Sequence, residues 1–253
     1  MSQSNLTSQA AENTGLTQWQ RLSCLFTAPS KTFEDIRRGN RSWWLPWIVM
    51  ALASYLLFGA VVQRVGIRQT VENQMRFNQR AQEQMAQASP EQQEKAYKIS
   101  EVITEAGFLA GPALGLLFGL VIAAVLMGTI NFGFGGRANF GQVFAVVYYA
   151  WLPMVIKVLL GVVTLYAGMA PEAFNIKNYA PTNAGAFLDP TGTPKALYAL
   201  ATAMDLTTIW SMVLLSIGLA TVAGVKRSSG YIAVVGWWLL LVLFGVAIAA
   251  VMG

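Results

Sequence analysis

The chain reads as an all-α polytopic membrane protein with five transmembrane helices, and three observations lead there. Charged residues make up 11% of its 253 residues and apolar ones 55%, against about 25% charged in an average soluble domain. So few charges cannot cover a water-facing surface of this size. They also cluster, leaving five long stretches nearly free of them, as expected of segments dissolved in hydrocarbon. Those stretches are continuously apolar rather than alternating. In lipid every backbone polar group needs an internal partner, so each stretch must be a helix and not a barrel strand.

A span needs about 20 apolar residues, because the hydrocarbon core is about 30 Å thick and a helix rises about 1.5 Å per residue. Trp43 to Val62 begins with the aromatic group Trp43, Trp44 and Trp47, placed as interfacial anchors, and ends before Arg64. Gly107 to Phe134 is uncharged and long enough to tilt. Val143 to Leu165 carries one charge, Lys157. Leu206 to Val225 lies between Asp205 and the pair Lys226 and Arg227, and Tyr231 to Met252 closes the chain uncharged. The expected organisation is a cytoplasmic segment over 1–42 and a five-helix membrane domain over 43–253, with external loops at 63–106 and 166–205.

Orientation follows from the basic residues. With the N-terminus cytoplasmic, the inner segments hold Arg21, Lys31, Arg37, Arg38, Arg41, Arg137, Lys226 and Arg227 against Glu12, Glu34 and Asp35, while the outer segments hold eight basic and nine acidic residues. Arg64, Arg68, Arg76 and Arg80 lie close behind the first span, but long loops weigh less and both outer loops are long. The expectation is a bacterial inner (plasma) membrane protein with its C-terminus external. The polar first 15 residues contain no apolar h-region, so no cleavable signal peptide is expected.

Those 15 residues, rich in Ser, Gln and Asn, read as disordered. Leu16, Trp19, Ser23 and Phe26 then fall on one helical face, suggesting a short helix on the inner membrane surface with Trp19 and Phe26 as anchors. Thr27 to Gly39 reads as a second short helix, broken from the first by Pro29 and with Gly39 suited to the position just past its end. In the first outer loop, Ser89-Pro90-Glu91-Gln92 is a capping box with proline at the first helical position, from which a helix can run unbroken into the second span. The weak stripe Val71, Met75, Asn78, Gln82 and Met85 predicts a thinly packed helical hairpin before it, a solvated spacer with balanced charge. In the second outer loop, Thr193-Pro194-Lys195 marks another helix start, and Ala196 to Met204 either lies flat in the interface or extends the fourth helix.

Several chemistries are excluded. There is no His and a single Cys, Cys24, which removes His-based acid/base catalysis, a disulfide framework and zinc or iron–sulfur sites. The glycines of Phe132-Gly133-Phe134-Gly135-Gly136 follow a membrane span rather than a strand, so they form a turn and not a nucleotide loop. No nucleophile elbow, Walker lysine or intramembrane carboxylate dyad is present, so no enzymatic activity and no cofactor are expected. The balanced outer loop argues against nucleic acid.

Two patterns stand out. Gly107, Gly111, Gly115 and Gly119 recur every four residues and make one face of the second span a groove, read as helix packing within the chain or, alternatively, in a homo-oligomer or against another membrane protein. Ser216, Ala220 and Gly224 repeat the pattern more weakly on the fourth span. Lys157 is the lone charge inside a span and either snorkels or pairs. Asp205 is its candidate partner, because as one helix Ala196 to Val225 would carry Asp205 to a matching depth.

Leu25-Phe26-Thr27-Ala28-Pro29-Ser30-Lys31-Thr32-Phe33 ahead of the first span resembles the opening motif of the YIP family, the Ypt- and Rab-interacting membrane proteins, in its bacterial branch. So do Phe134-Gly135-Gly136-Arg137-Ala138-Asn139-Phe140, leading to Tyr148-Tyr149-Ala150-Trp151-Leu152-Pro153, and Asp205-Leu206-Thr207-Thr208-Ile209-Trp210. The resemblance covers roughly residues 20 to 250. It implies five transmembrane helices with a cytoplasmic N-terminus. Eukaryotic members are associated with Rab GTPases and vesicle budding, but this chain lacks their long Pro/Tyr-rich tail, so a GTPase partner stands only as a family analogy. The expected function is that of a non-enzymatic membrane scaffold or adaptor acting in the lipid bilayer through helix packing and its cytoplasmic segment. The alternative is a small transporter or channel using Lys157 and a kink at Pro153; transporters, however, generally show internal repeats and several polar groups at mid-depth.

Overall fold

The computed structural model of the chain describes residues 15–252; residues 1–14, and with them most of the stretch expected to be disordered, lie outside the described residues. Eleven α-helices follow in order: α1 Gln18–Thr27, α2 Pro29–Arg37, α3 Trp44–Arg64, α4 Ile67–Arg76, α5 Gln79–Gln87, α6 Pro90–Gly128, α7 Phe140–Ala150, α8 Pro153–Tyr166, α9 Lys195–Ala203, α10 Leu206–Ala223 and α11 Arg227–Met252. No strand forms among the described residues. Among the described residues five helical stretches are long and apolar enough to cross a membrane: Trp44–Arg64, Pro90–Gly133, Phe140–Tyr166, Leu206–Ala223 and Arg227–Val251.

Local chemistry sets most boundaries. Thr17 caps α1 through a reciprocal bond with Gln20. Gly39, at φ 123°, ends α2 in a conformation that L side chains rarely adopt. Ser89 N donates to Gln92 Oε1 and Gln92 N to Ser89 Oγ, starting α6. From Pro90 the helix runs unbroken past Pro112 to a π turn over Thr129–Gly133. Pro112 has no N–H to offer, and α3 approaches the carbonyls around it: Tyr55 Oη donates to Leu109 O and Trp47 Nε1 to Pro112 O. The third span is interrupted at Trp151 and Leu152, just before Pro153 restarts it as α8.

The chain divides into two compact units. The first comprises residues up to Pro46, Gly119–Ala150 and Met212–Val235. Its centre is α7, in which every residue from Gln142 to Ala150 is buried, as expected of a helix apolar all round. Phe33 and Ile36 of α2 are fully buried in this unit. A Cβ on Gly218 of α10 would lie 2.6 Å from Val146 and 2.8 Å from Phe33, so that glycine lets α2, α7 and α10 meet. Ser216 and Ala220 are buried against α11, where a Cβ on Gly230 would sit 2.2 Å from Ser216 O. The weaker small-residue face of the fourth span is thus a close helix crossing.

The second unit comprises Trp47–Phe118, Trp151–Ser211 and the chain from Gly236 onward. Leu57, Ala60 and Val61 of α3 form its core with Leu165 of α8 and Phe174 of the second loop. The two loops are tied together: Asn73 Nδ2 donates to the carbonyls of Pro171 and Phe174, and Arg76 to that of Glu172. Arg68 reaches Glu72, Glu94 and Glu101 at 3.0 to 3.1 Å and lies 4.0 Å from the centre of the Tyr97 ring. The first loop is therefore fastened where a solvated spacer was expected. One guanidinium fork holds α4 against the start of α6.

Gly230→Ala is expected to lower the melting temperature in detergent by several degrees, since backbone must shift to admit a methyl group. Gly111→Ala, where a Cβ meets nothing within 4 Å, is expected to leave it unchanged.

Candidate functional site

The most densely bonded polar group of the second unit is the carboxylate of Asp205, 2% exposed between α9 and α10. Ala196 to Val225 is not one helix, as the depth-matching expectation had it. Met204 leaves the helical region at ψ 59°, and Asp205 forms a bridge with Asn183 before α10 begins at Leu206. The physical reason is local competition: the Asp205 side chain satisfies the free amides at the start of α10, so a new helix starts there. Asp205 Oδ1 accepts from Thr207 N at 2.9 Å, Thr207 Oγ1 at 2.6 Å and Thr208 N at 3.2 Å. Thr193, expected to cap α9, makes no such bond; α9 starts at Lys195 with no side-chain cap.

The other carboxylate oxygen faces Lys157. Lys157 Nζ of α8 lies 2.9 Å from Asp205 Oδ2, with the lysine side chain 20% exposed and the aspartate 3%. Thr182 Oγ1 donates to Oδ2 at 2.5 Å and Asn183 Nδ2 at 3.4 Å. Tyr179 covers the ammonium at 5.7 Å and packs on Gly161, where a Cβ would come within 2.5 Å of its ring. One carboxylate thus both starts α10 and pairs with Lys157. Burial acts to raise the Asp205 pKa, but the bonds from Thr182, Thr207 and Lys157 outweigh it and hold the group well below the usual carboxylate range. Burial likewise pushes Tyr179 up to about 12.

This geometry leaves Asp205 no free lone pair for a substrate or an ion. Thr182, Asn183 and Tyr179 were not singled out from sequence. The one available signal was Pro181-Thr182-Asn183, a cluster of turn-forming polar residues in a loop otherwise read through its prolines.

The first unit contains a second buried pair that sequence reasoning missed. Arg21 of α1 and Asp35 of α2, 1% and 7% exposed, approach at 3.4 Å. Arg21 also donates to Asn40 O and lies 5.5 Å over Tyr149, while Asp35 accepts from Leu16 N. The signal was present: Arg21 and Leu25 are one turn apart on the face opposite Trp19 and Phe26, and it is Arg21 and Leu25 that are buried.

The remaining singled-out residues divide. Trp19, Phe26 and Trp44 are 69%, 40% and 48% exposed. Trp43 instead packs on Phe144 and Tyr148, with centroids at 5.1 and 5.8 Å, and Trp47 is turned to Pro112. Of the glycine series, Gly119 is packed, with Tyr148 filling the space of its missing side chain; a Cβ on Gly107, Gly111 or Gly115 would meet nothing within 4 Å. The expectation of a continuous close-packed groove within the chain is corrected to that one position. In the second unit α3 meets α6 through large aromatic groups, Phe58 stacking on Phe108 at 5.0 Å, which hold the helices at side-chain distance. Among the described residues no group of three or more His, Cys, Asp or Glu side chains could hold a metal ion.

Five apolar helices with paired interior charges define a polytopic, all-α integral membrane protein. The chain matches the Yip1 domain over residues 23–249 and belongs to that family. It is 26% identical over 226 residues to the membrane protein YknW of Bacillus subtilis (strain 168), which covers 88% of this chain and 85% of that one. No solved structure matches.

Lys157→Met is expected to destabilise the protein in detergent by about 3 kcal/mol, because it leaves a buried carboxylate unpaired. Adding Asp205→Asn, which removes the charge but retains the acceptor for Thr207, should recover much of that loss in thermal melts; strict additivity would reject the pairing. Because the folded-state pKa of Asp205 is depressed, its contribution is present above the ordinary carboxylate value of about 4 and is lost as pH falls from there toward the folded value. Asp205→Asn should flatten that acidic limb of the stability profile.

Proposed function

We propose that this Yip1-domain protein is a non-enzymatic membrane scaffold or adaptor, acting through helix packing and its N-terminal segment. It would sit in a bacterial inner (plasma) membrane with the N-terminus cytoplasmic and the C-terminus external. The observation that carries the reading is the internal pairing of its buried charges. The Asp205 carboxylate is fully bonded to Lys157, to the surrounding loop and to the start of α10, and Arg21 and Asp35 face each other at 3.4 Å within the N-terminal helices, so each charge is answered inside the chain rather than held open along a path. The N-terminal segment supports it further. Leu25, Phe33 and Ile36 build α1 and α2 into the first unit while Trp19 and Phe26 stay outside as interfacial anchors. A second copy or another membrane protein would pack on the side-chain-free face at Gly107 and Gly111.

The orientation rests on the distribution of basic residues, which also separates the two units. The described residues of the first unit hold eight basic and two acidic side chains; those of the second hold nine of each. A reporter active only outside the cytoplasm should be active when fused after Gly253 and silent when inserted at Arg137. The reverse result would overturn the orientation.

The scaffold reading is tested in proteoliposomes loaded with a pH-sensitive dye and polarised by a potassium gradient with valinomycin. Proton flux should equal that of protein-free vesicles. Protein-dependent flux that disappears in Lys157→Met would replace the scaffold with a transporter or channel.

A further inference from the structure

The excess positive charge of the first unit is gathered about a cleft that the scaffold reading does not use. Arg37 ends α2, Arg137 lies in the turn between the π turn and α7, and Gly224 follows α10. These three sequence-remote points line one cleft of about 500 Å³ together with Gly135, Asn139 and Gln142. Two guanidinium groups and two amides face it, and no carboxylate lines it. Of the unit's two described acids, Asp35 is buried against Arg21, and Glu34 lies 3.9 Å from Arg37. A second cleft of about 310 Å³ shares Arg37 and Gly224 with the first and adds Ser30 and Arg227, whose guanidinium donates to Ser30 Oγ at 3.3 Å; Glu34 lines this one.

Two hydrogen bonds that do not use the arginine side chains frame the cleft. Arg137 N donates to Ala223 O, and Gln142 Nε2 donates to Arg37 O. Asn139 accepts from Gln142 N through Oδ1, which leaves its amide N–H groups directed elsewhere. Gly135 and Gly224, at φ 68° and 69°, line the cleft in a conformation that favours glycine, and a Cβ on Gly224 would meet an Arg37 guanidinium nitrogen at 3.6 Å. Arg37 and Arg137 both line the cleft and are exposed. Phe132, three residues before Gly135, is 93% exposed beside this turn. An apolar side chain next to cationic forks is the arrangement that accommodates a phosphate carried on an apolar body.

We propose that this cleft is a phosphate-binding site, in which Arg37 and Arg137 clasp one phosphate group and Asn139 donates an additional hydrogen bond. Planar guanidinium groups match phosphate geometry with paired N–H donors, and they do so best where water is partly excluded. The phosphate can be that of an anionic lipid headgroup or of a soluble phosphate compound. The inference stands independently of whether the protein scaffolds or transports.

The test compares melting temperatures of the full chain in neutral detergent with added phosphatidylglycerol, phosphatidylcholine or inorganic phosphate. Phosphatidylglycerol should raise the melting temperature and phosphatidylcholine should not. A rise with phosphatidylglycerol alone assigns the site to a lipid headgroup, and a rise with inorganic phosphate as well assigns it to phosphate as such. Arg37→Gln and Arg137→Gln should each weaken the effect about tenfold in ligand concentration, the loss of one charged hydrogen-bonding partner. Arg38→Gln removes the same charge from the same helix end but lies outside the cleft, and should leave the response intact. If Arg38→Gln weakens it equally, the response comes from diffuse surface charge and the site is refuted; an absent response to both phosphatidylglycerol and phosphate refutes it also. Should Arg137→Gln not fold, Arg137→Lys keeps the charge while losing the fork, and native mass spectrometry of the parent chain must show phosphatidylglycerol retained over phosphatidylcholine.

Discussion

A charge removed from water must find its counter-charge inside the chain, and each unit is built around that requirement. In the second unit the Asp205 carboxylate answers Lys157, starts α10 and holds Thr182 and Asn183 of the second loop, so a helix, a helix start and a loop are joined at two oxygen atoms. In the first, Asp35 answers Arg21 and fixes α1 on α2, which brings Phe33 to the glycine of α10 and to Val146 of α7. Replacing either pair with neutral groups of similar shape would not by itself be unfavourable; removing one member would. The interior charges therefore specify which segments meet more than they add net stability.

The spans were legible because they obey a rule of composition that no tertiary contact overrides. A run of twenty apolar residues without a charge has few alternatives in a chain of this kind. Helix ends marked by side-chain chemistry were equally clear: Ser89 with Gln92, and Gly39 past α2. Three things were not legible. The groove from Gly107 to Gly119 looked uniform, but a four-residue repeat says only that one face is bare, not what lies opposite; at Gly119 that is Tyr148, whereas a Cβ on Gly107 or Gly111 would meet nothing within 4 Å. The apolar run into the fourth span hid a break, because periodicity does not register a side chain that competes for backbone amides at Asp205. The Arg21–Asp35 pair escaped because charges near a span were counted as determinants of orientation, without asking which helical face they shared.

Membership in the Yip1-domain family accounts for the architecture and leaves the chemistry to this chain's own residues. The two units differ sharply in charge, one carrying a surplus of basic groups and the other none. Part of that surplus sets orientation, as in any polytopic protein. Orientation requires only that the charges be on one side, and not that Arg37 and Arg137, a hundred residues apart in sequence, share a cleft free of carboxylates.

The pairing of Lys157 with Asp205 also fixes an order of assembly. Lys157 is synthesised before its counter-ion, since Asp205 follows it by 48 residues. At about 5 to 20 residues per second, the ammonium waits several seconds without its carboxylate. Until then the chain already made holds no counter-charge for the lysine, and a charge within a span is costly to leave unpaired. The arrival of the second loop ends the wait, and Thr182 and Asn183 reach the site on the same stretch of chain as Asp205, so the lysine receives its neutralising charge and its surrounding hydrogen bonds in a single step of biogenesis.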